Sequence, residues 1–181
     1  MKFLNFFSEI GKLKELKRTG WLVRGIEDAE SVSDHSFRLS LLALVYGKQE
    51  NLDTEKCVEL ALVHDVHEIY SGDIMWPTSN EQKKFDAEKK GIEKLIKLLP
   101  EKEGVDVLEL WQEYFEKETA EAKLVHDLDK IEMLLQVIEY KKGKKTQESL
   151  TEFFVLTKKR LLTEKGLELW KELNKKFEGL K

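Results

Sequence analysis

From about Thr119 to Tyr140 the sequence has helical composition but no broad polar face. Leu124, Val125, Leu128, Ile131, Met133, Leu134, Leu135, Val137 and Ile138 cover most of the circumference. A helix apolar nearly all round is stable in water only when other elements surround it, so this segment is expected at the centre of a helical bundle. Its two acids divide by their neighbours. Asp127 shares an arc with Lys123, Lys130 and Lys141, which predicts a solvated side for it, so the His126-Asp127 dipeptide, though it mimics a metal motif, is not read as one. Asp129 falls among Ala122, Val125, Met133 and Gln136, which predicts burial. A buried carboxylate needs a compensating charge, so Asp129 is a candidate ligand. Glu132, close by on the same side, is expected to steady that site or to pair with an arginine.

A second stretch, Leu62-Val63-His64-Asp65-Val66-His67-Glu68-Ile69-Tyr70, followed by Gly72-Asp73-Ile74, sets ionisable groups inside apolar helical sequence. Neutral imidazole and carboxylate are ligands that divalent cations take, so a bound cation is an economical way to compensate them. Read as one continuous helix at about 100° per residue, His64, Glu68 and Asp65 share an arc of roughly a third of a turn. His67 lies about 60° to the other side of His64 and is read as capping exposed helix rather than as a ligand. No second histidine stands four residues after His64, so this is not the His-Glu-x-x-His of zinc proteases. Gly72 is expected to end the helix, with Asp73 and the Ile74 backbone folding back over its C-terminal end.

Composition narrows the class. The 181 residues suffice for one compact domain, and two prolines, ten glycines and 36% charged residues fit a helical protein better than a sheet protein or a disordered chain. A formal net charge of −4 provides no global basic field for a nucleic-acid polymer. The single Cys57 can build neither an internal disulfide nor a cysteine-rich zinc site, which predicts packing for its side chain and a reducing, cytoplasmic setting for the chain. Ser8, Glu9 and Lys12 interrupt the apolar N-terminal bias before it reaches the length of a membrane span.

In chain order, Phe3, Phe6, Phe7, Ile10, Leu13 and Leu16 predict a first helix over residues 3–17, its aromatics in the core. Residues 17–25, with Gly20 and Gly25, predict a loop. Arg18, Trp21 and Arg24 within it admit two readings, a surface loop anchored by its tryptophan or a phosphate clamp beside a stacking platform. Ser31 or Ser33 caps a helix with His35, Leu39, Leu42 and Tyr46 inward, and Asp53 or Thr54 caps the next, which carries Cys57, Leu60, Ala61 and His64 along one face. On its own His35 reads as a hydrogen-bonded core residue. Met75–Asn80 is expected to form a loop stiffened by Pro77. Residues 81–99 form a helix whose charge run is read as a solvated face, and the amphipathic segment through Trp111 and Tyr114 carries no evident chemistry. Beyond a lysine-rich break at 141–145, the last helices are read as packing and as a candidate dimer surface.

His35, His64-Asp65 and Asp129, on three helices about thirty and then about sixty-five residues apart, are arranged as in the HD-domain metal phosphohydrolases. Arg-Thr-Gly-Trp at 18–21, Glu-Ser-Val-Ser-Asp-His at 30–35, Leu-Ala-Leu-Val-His-Asp at 60–65, Gly-Asp-Ile at 72–74 and Leu-Asp-Lys-Ile-Glu-Met at 128–133 resemble the HD-domain-containing protein 2 family, 5′-deoxynucleotidases related to the bacterial YfbR-type enzymes. The motifs end near residue 140. The resemblance implies one all-α HD-domain bundle over residues 1–181, with the helices of 145–181 packed against it. It also implies His35, His64, Asp65 and Asp129 as ligands of a divalent cation, Mn2+, Co2+ or similar, with Mg2+, Fe2+, Ni2+ and Zn2+ as alternatives. Glu68 would manage protons and Asp73 would serve on the substrate side or at a second metal, with the Ile74 carbonyl as a further ligand. Arg18 would hold the 5′-phosphate, Trp21 would wall the deoxyribose, and Arg24 is a second candidate for the phosphate. The implied substrate is a deoxyribonucleoside 5′-monophosphate and the implied assembly a homodimer, with no nucleic-acid polymer and no membrane as partner. Two alternatives stand beside it: an HD hydrolase of a deoxynucleoside triphosphate, cyclic nucleotide or alarmone, and a non-catalytic bundle stapled by its metal.

Overall fold

The computed structural model describes residues 2–75 and 80–180. Among the described residues ten α-helices follow one another: α1 (Lys2–Ile10), α2 (Thr19–Leu22), α3 (Val32–Gln49), α4 (Thr54–Val63), α5 (Glu68–Ser71), α6 (Glu81–Ile96), α7 (Glu101–Glu116), α8 (Ala120–Lys142), α9 (Thr151–Lys158) and α10 (Glu164–Glu178). A 3-10 turn at Gly11–Lys14 continues α1, and the described residues contain one isolated bridge, Lys17 to Ser31, but no strand. The architecture is all-α, as the sequence predicts. None of these helices is long and apolar enough to cross a membrane.

The helix starts are set by local chemistry. Ser31 and Asp34 form a reciprocal capping box that opens α3, while Asp53, Asn80, Thr119 and Thr163 each accept a backbone N–H at the start of α4, α6, α8 and α10. These caps decide where the site residues fall, because His35 stands in the first turn of α3 and His64 at the C-cap of α4.

Helix α8 is the axis. Val125, Leu128, Leu134 and Val137 are fully covered, and α3, α4, α9 and α10 pack around them in the larger core cluster. A second cluster, with Leu13, Val32, Val66, Ile92, Leu95 and Trp111, joins α6 and α7 to the start of the chain. Cys57 is buried in the larger cluster, and a Cβ on Gly47 would stand 3.2 Å from its Sγ, so α3 and α4 meet at close range there.

Several expectations fail locally. The first helix ends at Ile10 instead of residue 17, and Phe3 and Phe7 are 46% and 62% exposed: α1 lies at the periphery, with Phe6 and Ile10 as its apolar contacts to the second core cluster. Residues 17–25 contain the single turn α2 rather than loop alone. Asp127 is fully buried, not solvated. Its carboxylate accepts from Leu162 N at 2.9 Å and from Thr163 N at 2.8 Å and Thr163 Oγ1 at 2.7 Å, so the chain after α9 covers the arc that the lysines seemed to mark as wet. The loop expected around Pro77 falls largely at residues 76–79, outside the described residues.

Candidate functional site

The stretch from His64 to Ser71 is not one helix. Helix α4 stops at Val63, residues 64–67 are turns closed by Val66 N→Val63 O at 3.3 Å and Glu68 N→Asp65 O at 3.0 Å, and α5 restarts at Glu68. Gly91 makes room for this break: a Cβ there would lie 2.7 Å from His67 O, so α6 presses directly on the turn. Gly72, at φ 72°, then reverses the chain into Asp73.

Three helices and the turn bring His35, His64, Asp65 and Asp129 together. One ligand atom from each of His35, His64 and Asp129 lies within 4.8 Å of the others. The two Nε2 atoms face each other at 3.2 Å. Asp129 Oδ1 is 3.3 Å from His35 Nε2, and Asp65 Oδ2 stands 3.0 Å from His64 Nε2 and 3.9 Å from His35 Nε2. The opposite ring nitrogens are anchored: His64 Nδ1 donates to Ala61 O at 2.8 Å, and His35 Nδ1 meets the buried Glu132, which Arg38 also pairs. Such partners turn both Nε2 lone pairs toward one point. Two lone pairs so close, ringed by carboxylates, suit a proton or a cation between them, and the His-Asp donor set is one that divalent transition metals accept.

The electrostatics agree with a cation. Burial and Arg18 oppose a charge on His35, but Glu132 and Asp129 outweigh them and push it up to about 10. Asp65 and Asp129 are held below the ordinary carboxylate range, burial being outweighed by His64 and Arg18 for the first and by Lys130 and His35 for the second. Glu68 goes the other way: burial, then the charge of Asp65, raises it well above the usual value, and its Oε2 has no hydrogen-bond partner among the described residues.

A cavity of about 280 Å³ opens beside the cluster, and Arg18, Trp21, Arg24, Asp65, Glu68, Asp73, Ile74 and Asp129 all line it. Arg18 Nη1 donates to Asp65 Oδ2 at 3.1 Å, and Asp73 accepts from Thr19 N. The Ile74 carbonyl accepts from Lys84 Nζ at 2.7 Å. Trp21 is only 2% exposed, with Nε1 donating to Glu30 at 2.9 Å and its ring against Tyr140 and Phe153, so it forms part of the cavity floor. Arg24 pairs with Glu152 and lies over the Phe153 ring at 4.4 Å. His67 does not line the cavity, yet it does not cap exposed helix either: it is buried, edge-on to Trp111, with Nδ1 at 3.0 Å from Ser71 Oγ.

The structure adds residues that the sequence pattern hides. Tyr114 donates to Asp129 Oδ2 at 2.9 Å and Lys130 pairs with the same carboxylate at 2.5 Å. Lys84 and Glu88, read as part of a solvated charge run, line the cavity, as do Phe153, Leu156, Thr157 and Arg160 from the C-terminal part. Lys130 and Glu88 carried a signal, since each sits at helical spacing from a buried neighbour; Tyr114 had none apart from its hydroxyl on an inward face.

An all-α bundle with a histidine–carboxylate cluster of cation-binding composition between its helices is the class that fold and site define. The chain belongs to the HD domain family, whose profile matches residues 10–170. It is similar to a 5′-deoxynucleotidase HDDC2 of Xenopus laevis, at 41% identity over 83% of this chain and 75% of that one, and to a Homo sapiens protein of the same name, at 42% over 76% and 67%. A Saccharomyces cerevisiae 5′-deoxynucleotidase, YGK1, is 34% identical over 83% of this chain and 72% of its own. Among solved structures, a Pyrococcus horikoshii protein superposes with a TM-score of 0.79 at 31% identity, covering 98% of this chain and 99% of that one.

Proposed function

We propose that this chain is a 5′-deoxynucleotidase that hydrolyses deoxyribonucleoside 5′-monophosphates to deoxynucleoside and phosphate with the help of a divalent cation. The observation that carries the reading is the convergence of His35 and His64 Nε2 at 3.2 Å with Asp65 and Asp129 beside them, at the wall of a cavity that also holds Arg18 and Glu68. The names of the similar proteins support the substrate class. His35, His64, Asp65 and Asp129 would hold the cation; two imidazoles and two carboxylates suit Mn2+, Co2+, Fe2+, Ni2+ or Zn2+, and the family resemblance puts Mn2+ and Co2+ first. A divalent ion there supplies Lewis-acid chemistry, acidifying water and neutralising phosphate oxygens.

The side chains do the rest. Arg18 keeps its proton more firmly than an ordinary arginine, since Asp65 and Asp73 outweigh the cost of its burial, and it binds the phosphate as a permanent positive charge. Glu68 takes the proton of the attacking water and returns it to the departing 5′ oxygen as the P–O bond breaks. Asp73 holds the backbone of Thr19 and thereby fixes the Arg18 loop at the cavity mouth. Arg24, at the rim, backs the phosphate from the side of α9, and Trp21 floors the sugar site.

The same reading makes residues 1–181 one functional domain, because α9 and α10 both pack on α8. It places the protein in the cytoplasm, in keeping with a single buried cysteine, and assembles it as a homodimer through the exposed stripe Phe37, Leu41, Leu44 and Val45 of α3. The test is a phosphate-release screen of ribo- and deoxyribonucleoside mono-, di- and triphosphates with several divalent metals. Deoxynucleoside monophosphates should be preferred, and Glu68→Gln and Asp129→Ala should each lower kcat by at least about 100-fold. Wild-type rates in either variant, or release of pyrophosphate or triphosphate instead, would overturn the assignment.

A further inference from the structure

Helix α9 lies in the part of the chain without motifs, yet it turns one face to the cavity. Phe153, Leu156 and Thr157 stand at i, i+3 and i+4, the spacing of a single helical stripe, and all three line the same space as Glu68 and Asp129. Phe153 and Leu156 are half-buried and apolar. Thr157 is 2% exposed, and its Oγ1 makes no hydrogen bond among the described residues. A helical threonine ordinarily returns its hydroxyl to the carbonyl four residues back, and a buried hydroxyl left without a partner is costly, so it persists where something else completes it. The other unpartnered buried atom among the described residues is Glu68 Oε2, at the reactive end of this cavity.

The two ends differ in chemistry. Arg18, Asp65, Glu68 and Asp129 suit a phosphate and a cation, whereas Phe153 and Leu156, with Trp21, Met75 and Met133, supply apolar surface beside the Thr157 hydroxyl, bordered by the Arg24–Glu152 pair and Arg160. Apolar walls with one or two placed hydrogen-bonding atoms are how proteins hold a flat heteroaromatic ring. The orientation is fixed from outside: Arg24 lies over the Phe153 ring while paired to Glu152, and Trp170 Nε1 donates to Phe154 O at 2.9 Å, tying α9 to α10.

We infer that α9 is the base-recognising wall of the substrate site, with Phe153 and Leu156 packing against the nucleobase and the Thr157 hydroxyl hydrogen-bonding its edge. The inference rests on the deoxynucleotidase reading above and adds to it the residues that distinguish one base from another. Without them the cavity still accepts a sugar phosphate, but it no longer gains from the base.

The test compares kcat/KM for the four deoxynucleoside monophosphates with kcat/KM for 2-deoxyribose 5-phosphate, which has the reactive phosphate and no base. Phe153→Ala should lower the nucleotide-to-sugar-phosphate ratio about tenfold, the order expected for losing an aromatic contact with a base. Thr157→Val, which keeps shape and removes the hydroxyl, should change the ranking of the four bases by about threefold or more. Thermal denaturation of both variants guards against misfolding, and Thr157→Ser should restore the ranking. Equal losses on nucleotides and on 2-deoxyribose 5-phosphate, or an unaltered ranking in Thr157→Val, would overturn the inference. If the wild type released phosphate from no nucleotide, the deoxynucleotidase reading would fall by itself; calorimetric titration with deoxyadenosine then decides the role of α9, since binding weakened in Phe153→Ala supports the wall and unchanged binding refutes it.

Discussion

His35 is held from both sides: Glu132 grips Nδ1, and Nε2 looks onto His64, Asp129 and Asp65. The carboxylates that keep a proton on this imidazole up to about pH 10 are the ones that attract a cation to it, so proton and metal compete for one lone pair. Metal uptake at neutral pH should therefore release about one proton, and apparent affinity should rise with pH toward about 10 by up to about tenfold per unit. Calorimetry of Mn2+ binding in two buffers of different ionisation heat measures this, and an affinity independent of pH would refute it. For the metal-free protein the sign is the reverse. The raised His35 contributes stability fully below its ordinary value of 6.5 and loses it as pH climbs through about 10.

At this scale the sequence revealed the residues that broke an apolar pattern. His64, Asp65 and Asp129 are conspicuous because charge is expensive inside a core helix, and His35 became a ligand candidate only beside them. Tyr114, Lys84 and Thr157 conform to the pattern of ordinary amphipathic helices, and nothing in a linear sequence says which neighbour an inward hydroxyl will meet.

Among the elements, α8 shows how a helical wheel misleads. The arc of Lys123, Lys130 and Lys141 predicted water around Asp127, but long lysine stems reach out past a covered position, and Lys130 itself turns inward to Asp129. Asp127 instead ties down Leu162 and Thr163, and the entry of α10 is packed so closely that a Cβ on Gly166 would sit 2.3 Å from Asp127 Oδ2. Asp127→Ala strands those partly buried donors and should cost about 2 kcal/mol in urea denaturation, several times the loss expected of a solvated acid. A change below about 0.5 kcal/mol would show the anchor to be unimportant. The same lesson holds for the break at His64–His67. A 3.6-residue period carried through it puts His64, Asp65 and Glu68 on one arc, whereas the real chain reaches the same grouping by stopping α4, turning, and restarting as α5.

For the molecule as a whole, the all-α bundle was legible because α8 left no other way to bury its circumference. What could not be read was which amphipathic helices lie outside. Helix α3 buries His35 and Leu39 on one side and exposes Phe37, Leu41, Leu44 and Val45 on the other, at i, i+4, i+7 and i+8. A contiguous apolar stripe of this kind is uncommon on a monomer, and the homodimer proposed above would cover it. Phe37→Glu with Leu41→Glu should convert a dimer into a monomer in sedimentation equilibrium; a monomeric wild type, or a double variant that stays dimeric, would remove the stripe from the interface.

Asp129 and Asp127 stand two residues apart on one rigid helix, the first at the reactive cluster and the second fastened to the strand of chain that leaves α9. Catalysis and recognition are thus mounted on a common beam but carried by separable parts. If α9 is the base wall inferred above, exchange confined to Phe153, Leu156 and Thr157, with Phe154 left to hold the helix in the core, would open a repertoire of base preferences to descendants of this chain, or to an engineer, without reinventing the chemistry.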